Sequence, residues 1–207
     1  MDKEQLKAEV ASMMERCYRK GLTTSTGGNI SARCGSIMLI TPSGKDKSSL
    51  VSSDIAEVDI LTGENLTPEF KLSIETEMHR MIYLKREDVQ SVVHSHPAFC
   101  CLYSAAEEEI DTTLIAESWY LLDKVEKVPY ARMGTKELAE KVSLYMEKGD
   151  NAVLLEKHGA LAVGKTVLNA FDRLECLEQA AKLTWLGHLV PHAGLDEEQR
   201  NDIAAMR

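Results

Sequence analysis

The stretch Val92–Pro97, VVHSHP, decides how the rest of the chain is read. Two β-branched residues lead into histidines spaced i and i+2, and in a strand such residues point to the same face. At a rise of about 3.3 Å per residue their backbones stand about 6.6 Å apart, so both rings reach a single ion at about 2.0–2.1 Å. His94 and His96 therefore read as two ligands of one metal ion, although a strand end that carries no ion fits the same residues. The sequence on either side has helical spacing, which gives the order helix, strand, helix.

Before the strand, Ile74, Met78, Met81 and Ile82 mark the buried stripe of a helix running to about Lys85, with Ser73 as its N-cap. After it, Pro97 suits the first turn of a helix over Ala98–Ala106. Further upstream, Leu6, Val10, Met13, Met14 and Cys17 predict an opening helix closed by Gly21. The loop Thr23–Gly28, TTSTGG, then feeds two short strand-like runs, Asn29–Ala32 and Ile37–Thr41. Pro42–Lys45 breaks the pattern, and Glu57–Ile60 reads as a further strand.

Downstream, the periodicity from Ile110 to Tyr130 is mixed and predicts only a strand at Lys127–Pro129. Thr135 caps a helix bearing Leu138, Val142 and Tyr145, and Ala152–Leu155 and Ala160–Val163 read as strands around the turn Lys157–Gly159. A long helix from about Thr166 carries Phe171, Leu174, Leu177, Ala181 and Trp185, and the tail from Asp196 forms one more.

At 207 residues, with no linker-like composition break, residues 1–207 are expected to form one domain. The chain is 44% hydrophobic and 28% charged, and no apolar run approaches the roughly 18 residues of a membrane span. The opening MDKEQLKAEV is charged where an export signal would be apolar, which leads to the expectation of a cytoplasmic protein without membrane partners. The five cysteines lack a CxxC pair and read as reduced packing residues. A net charge of −9 disfavours nucleic acid and requires any anionic ligand to be held by a local site.

A catalytic zinc takes three protein ligands and keeps one position open. His158, between two apolar strands and before Gly159, is the best third ligand, with an ordinary hairpin turn as the alternative. Glu75 and His79 fall four apart on the preceding helix, so either could reach the metal as ligand or base. Glu77, His188 and His192 read as solvated. Free backbone N–H groups in Ser25–Asn29 and Ser43–Gly44, with Ser73 at a helix start, suit a phosphate held by dipoles rather than by lysines. Plain tight turns fit those loops equally.

Taken in order, STGGNIS (Ser25–Ser31), TPSG (Thr41–Gly44), SIETEMH (Ser73–His79), VVHSHP, VPYARMGT (Val128–Thr135) and KHGALAVG (Lys157–Gly164) resemble the zinc-dependent class II aldolases of the fuculose phosphate aldolase type. That family also contains ribulose phosphate epimerases and adducin heads. The resemblance spans nearly the whole chain. It implies a single three-layer αβα domain with a central, mostly antiparallel sheet, and a homotetramer with active sites between subunits. It further implies that His94, His96 and His158 ligate Zn2+ and that Glu75 is the acid/base that also ligates zinc at rest. Gly28, Asn29, Ser43, Gly44 and Ser73 match the phosphate grip. Ile74 replaces a second serine and offers its backbone N–H. The tyrosine expected before VPYARMGT is Ile115 here, and a C-terminal tyrosine is missing, leaving Glu117 or Tyr120 as replacement proton donors.

The function the resemblance implies is a lyase that cleaves a phosphorylated ketose, a ketose 1-phosphate, reversibly into dihydroxyacetone phosphate and an aldehyde. The alternatives are a methylthioribulose 1-phosphate dehydratase, which uses a carboxylate from the segment of Glu117, and a pentulose phosphate 4-epimerase, which usually carries Asp at the place of Glu75. A scaffold of the adducin-head kind lacks the histidines retained here.

Overall fold

The computed structural model describes residues 2–207. In chain order the helices are α1 Lys3–Arg19, α2 Thr76–Lys85, α3 Ala98–Ala105, α4 Ala116–Leu122, α5 Lys136–Glu147, α6 Val167–Gly187 and α7 Glu197–Ala204. The strands are β1 Asn29–Cys34, β2 Ile37–Ile40, β3 Ala56–Asp59, β4 Ser91–Ser95, β5 Glu126–Val128, β6 Ala152–Leu155 and β7 Gly159–Gly164. They form one sheet in the order β3-β2-β1-β4-β7-β6-β5, antiparallel throughout except for the β5–β6 pair. The chain is thus a mixed α/β fold around a mostly antiparallel seven-stranded sheet.

Both faces of the sheet are covered, which explains why its central strands are apolar at successive positions rather than alternately. Val93, Ala160 and Ala162 belong to one core, with Val10 and Met14 of α1 and Phe171, Leu174 and Leu177 of α6. Val92, Leu161 and Val163 belong to the other, with Met78 and Ile82 of α2 and Val142 and Met146 of α5. The histidine strand β4 lies between β1 and β7, opposing Asn29 to His94 and His94 to Leu161. That register brings the start of β1, the end of β4 and the turn before β7 to one edge. No helix among the described residues is long and apolar enough to cross a membrane.

The cap at Thr135 is as expected, and the structure adds caps at Thr166 and Asp196: each side chain accepts from the backbone N–H three residues on. Three local expectations are corrected. The second helix begins at Thr76 with Glu75 at its N-cap position, not at Ser73. Ser73 instead closes the turn ahead of it, its carbonyl accepting from the Thr76 N–H and its hydroxyl from the Glu75 N–H. Pro97 occupies the N-cap of α3 rather than its first turn. The segment after Ile110, unreadable from periodicity, holds a 3-10 turn at Thr112–Leu114 and the short helix α4.

Candidate metal and anion site

His94 is the penultimate residue of the buried strand β4, and His96 follows the strand. His158 sits in the β6–β7 turn, behind Lys157 at φ 54°. Hydrogen-bonded pairing of β4 with β7 converges the three rings: centroids lie 4.9 Å (His94–His96), 4.8 Å (His94–His158) and 5.3 Å (His96–His158) apart. One ligand nitrogen from each lies within 4.8 Å of the others. Close packing requires a residue without a side chain at Gly159. A Cβ there would stand 2.5 Å from the Ser95 carbonyl oxygen and 2.8 Å from Cδ2 of His96. Gly159 is therefore needed for close approach, not for the turn assigned to it from sequence. Gly28 is held at φ +64°, where a Cβ would stand 2.8 Å from the His94 carbonyl oxygen.

Glu75, buried at the start of α2, completes the group. Its Oε2 is 3.2 Å from His94 Nε2 and its Oε1 is 3.2 Å from His158 Nε2. Oε1 of Glu75 and Nε2 of His94 and His96 are nonetheless buried without a hydrogen-bond partner. Such close but mutually unsatisfied atoms are what donors sharing one ion present, because ligands at about 2.1 Å in a tetrahedron are about 3.4 Å apart. The donors fit a divalent ion, and neutral imidazole with carboxylate suits zinc among others.

The charge states of two of the three imidazoles agree with that fit, whereas Glu75 raises His94 against its burial. Burial, with the neighbouring His94, pushes both His96 and His158 down to about 4, leaving their lone pairs free at neutral pH. Burial alone would raise the Glu75 carboxyl, but His94, His158 and the Asn29 amide outweigh it and hold it well below the usual carboxylate range. His94 is oriented from behind, its Nδ1–H donating to the Ala160 carbonyl at 2.9 Å, which leaves Nε2 facing Glu75.

His79 is excluded from this set. It is fully buried one turn along α2, bonded through Nδ1 to the Ser31 hydroxyl (2.7 Å), which also meets the Tyr83 hydroxyl (2.8 Å). The shared helix face expected for Glu75 and His79 does not form, since Glu75 adopts the non-helical backbone of a cap.

A cavity of about 200 Å³ opens beside the histidines, lined in part by Gly28, Asn29, Ser43, Ser73, Ile74 and Glu75. Gly44 is exposed and does not line it. Asn29 Nδ2 donates to both Ser73 Oγ (3.0 Å) and Glu75 Oε2 (2.9 Å), so it links the anion loop to the carboxylate. Lys47 also lines the cavity and is 1% exposed. A buried lysine thus shares the cavity with the loops expected to hold an anion by dipoles alone. The sequence shows lysines at 45 and 47, but no local pattern says which turns inward. Glu117 and Tyr120 lie on α4 at exposed positions outside this cavity, with Glu117 close enough to raise the Cys176 thiol.

A model of the Class II Aldolase and Adducin N-terminal domain family matches residues 8–185, and the chain belongs to that family. Within it the chain is similar to the L-fuculose phosphate aldolase of Methanocaldococcus jannaschii, 32% identical over 92% of this chain and 99% of the relative. The L-fuculose phosphate aldolase of Escherichia coli is 31% identical, over 92% and 81% respectively. A solved L-fuculose 1-phosphate aldolase superposes with TM-score 0.88 at 31% identity, covering 98% of this chain and 95% of the other. The chain is a class II aldolase of the fuculose phosphate aldolase type, and hence a lyase.

Proposed function

We propose that the chain is a zinc-dependent aldolase that reversibly cleaves a ketose 1-phosphate, of the L-fuculose 1-phosphate kind, into dihydroxyacetone phosphate and an aldehyde. The observation that carries this reading is the adjacency of the three-histidine, one-carboxylate cluster to the cavity lined by Gly28, Asn29, Ser43 and Ser73. One side suits the oxygens around a carbonyl and the other a phosphoryl group.

In this reading His94, His96 and His158 would hold Zn2+, with Glu75 as a further donor. When bound, the ion would supply Lewis-acid chemistry toward the C2 carbonyl. The chain's own residues do the rest. The Gly28–Asn29 loop, Ser43, Ser73 and the Ile74 backbone N–H hold the phosphoryl oxygens and so fix C1. Glu75, two residues from Ser73 and tied to it through Asn29, is aimed at C3. In the cleavage direction the C4 hydroxyl loses its proton, the C3–C4 electron pair stays on C3, and Glu75 delivers a proton there. Synthesis reverses these transfers.

The acceptor of the C4 hydroxyl proton is not assigned to this cavity within one chain. Ile74, Tyr130 and Met133 are 56%, 56% and 60% exposed, and Ile74 and Met133 line the cavity itself. An apolar rim at a reaction site suits a neighbouring subunit, which supports a homotetramer with sites between subunits on the αβα scaffold. Glu117 or Tyr120 of such a neighbour is the candidate acceptor in cleavage, and the donor in synthesis. The dehydratase alternative needs the Glu117 segment at the site, and the similarity to L-fuculose phosphate aldolases favours the aldolase over it.

The test is to incubate zinc-loaded protein with a panel of ketose 1-phosphates and identify products by mass. Dihydroxyacetone phosphate and an aldehyde support the aldolase. Loss of water selects the dehydratase, and absence of turnover across the panel overturns both.

A further inference from the structure

We propose that Lys47 is the cation that meets the phosphoryl group in this cavity, a role that rests on reading the cavity as the phosphate site. A lysine ammonium has three donors, and here one is used, by the Pro42 carbonyl at 2.9 Å. Among the described residues no carboxylate lies within ion-pair distance of it, although Lys47 is one of the largest fully buried side chains. The nearby acids are engaged elsewhere. Asp46 accepts from the Ser48 backbone N–H and hydroxyl, and Asp54 accepts from Lys45.

A buried, unpaired charge is costly unless it is neutralised or paired. Burial pushes Lys47 down to about 8, which still leaves it charged at pH 7. A structural lysine would be expected to reach water or a carboxylate, and this one reaches a cavity whose other walls are Gly28, Asn29, Ser43 and Ser73. Its backbone N–H donates to the Ser25 carbonyl (2.9 Å), which docks its loop onto the glycine loop and fixes the distance between the two. The Glu75 carboxylate lines the same cavity. A phosphate dianion brought beside it needs a compensating positive charge, and on a chain of net charge −9 no diffuse field supplies one. Lys47 would then make substrate recognition depend on charge and select phosphorylated over neutral sugars.

The experiment measures inorganic phosphate binding to the full chain by calorimetry at pH 7, with unfolding temperatures recorded without phosphate. It compares the parent with Lys47→Met, Lys47→Gln and Lys47→Arg. A lost charge-assisted hydrogen bond should weaken binding by about tenfold to a hundredfold in the Met and Gln variants, and the charge-keeping Arg variant should recover part of it. The ligand-free Met variant should unfold no lower than the parent, because an unpaired buried charge has been removed. If the Met and Gln variants bind phosphate within twofold of the parent while the parent binds well, the cavity reading survives and the Lys47 proposal fails. A fall in unfolding temperature with affinity retained assigns Lys47 to holding Pro42 and also overturns it. A parent that binds no phosphate removes the reading of the cavity and the Lys47 role together.

Discussion

Asn29 donates its side-chain amide to Glu75 at 2.9 Å while opposing His94 across the β1–β4 pair, so one residue joins the glycine loop, the carboxylate and the histidine strand. Its second hydrogen bond, to Ser73, ties the same network to the turn ahead of α2. Placement of the reacting groups to within fractions of an ångström is where much of a catalyst's rate originates.

Glu75→Gln should lower kcat by about 10²–10⁴-fold while leaving substrate affinity within a few-fold of the parent, since an amide keeps the size but cannot shuttle a proton. Glu117→Gln is the comparison, since Glu117 is the rival candidate for proton transfer. Steady-state kinetics on both variants decide the matter. Full loss in Glu117→Gln with most activity kept in Glu75→Gln would mean that the proton shuttle is misassigned and would favour the dehydratase.

The purified protein should hold about one divalent ion per chain, and His96→Ala should lose it without unfolding. Elemental analysis with circular dichroism checks both halves. Parent-like zinc content in His96→Ala would sink the three-histidine site, and unfolding on metal removal would make the ion structural.

Acid should destabilise the metal-free protein between about pH 6.5 and 4. His96 and His158 are each pushed down to about 4 and His79 to about 3, in every case chiefly by burial. Unfolded, they titrate near 6.5, so in this window the unfolded chain binds more protons and stability falls as pH falls. Glu75, held low, adds loss in the same direction at lower pH, whereas His94, raised by Glu75 against its burial, opposes it. The expected loss is on the order of 3 kcal/mol for each depressed histidine. Thermal unfolding of metal-free protein across this range measures it, and a flat profile would contradict neutral imidazoles in the fold.

Gly159→Ala should disturb the site where Gly35→Ala does not. A Cβ at Gly159 meets Ser95 and His96 at 2.5 and 2.8 Å, and overpacking of this kind costs about 1–3 kcal/mol. At Gly35 a Cβ meets nothing within 4 Å, so that variant carries only the strain of φ +63°, about 1 kcal/mol. Metal content should fall in Gly159→Ala and stay near one ion per chain in Gly35→Ala. Equal occupancy in the two variants would deny the close-approach role.

By itself the sequence determined what is set over a few residues: the stripes of α1, α5 and α6, the cap Thr135, and the apolar strands around His94 and His158. Those features follow from side-chain period and local hydrogen bonding, which need no distant partner. The segment at α4 escaped because it is short and its buried contacts come from α6 and the chain end, so its own periodicity is weak. Tertiary structure decided that Glu75 and not His79 joins the histidines, since a cap residue leaves the helix face that spacing alone would assign it. It also decided that Lys47 turns inward while Lys45 pairs with Asp54. Asn29, His94 and His158 meet because β4 pairs with β1 and β7, and the hydrogen bonds of that register join segments too far apart in sequence for any local pattern to relate them.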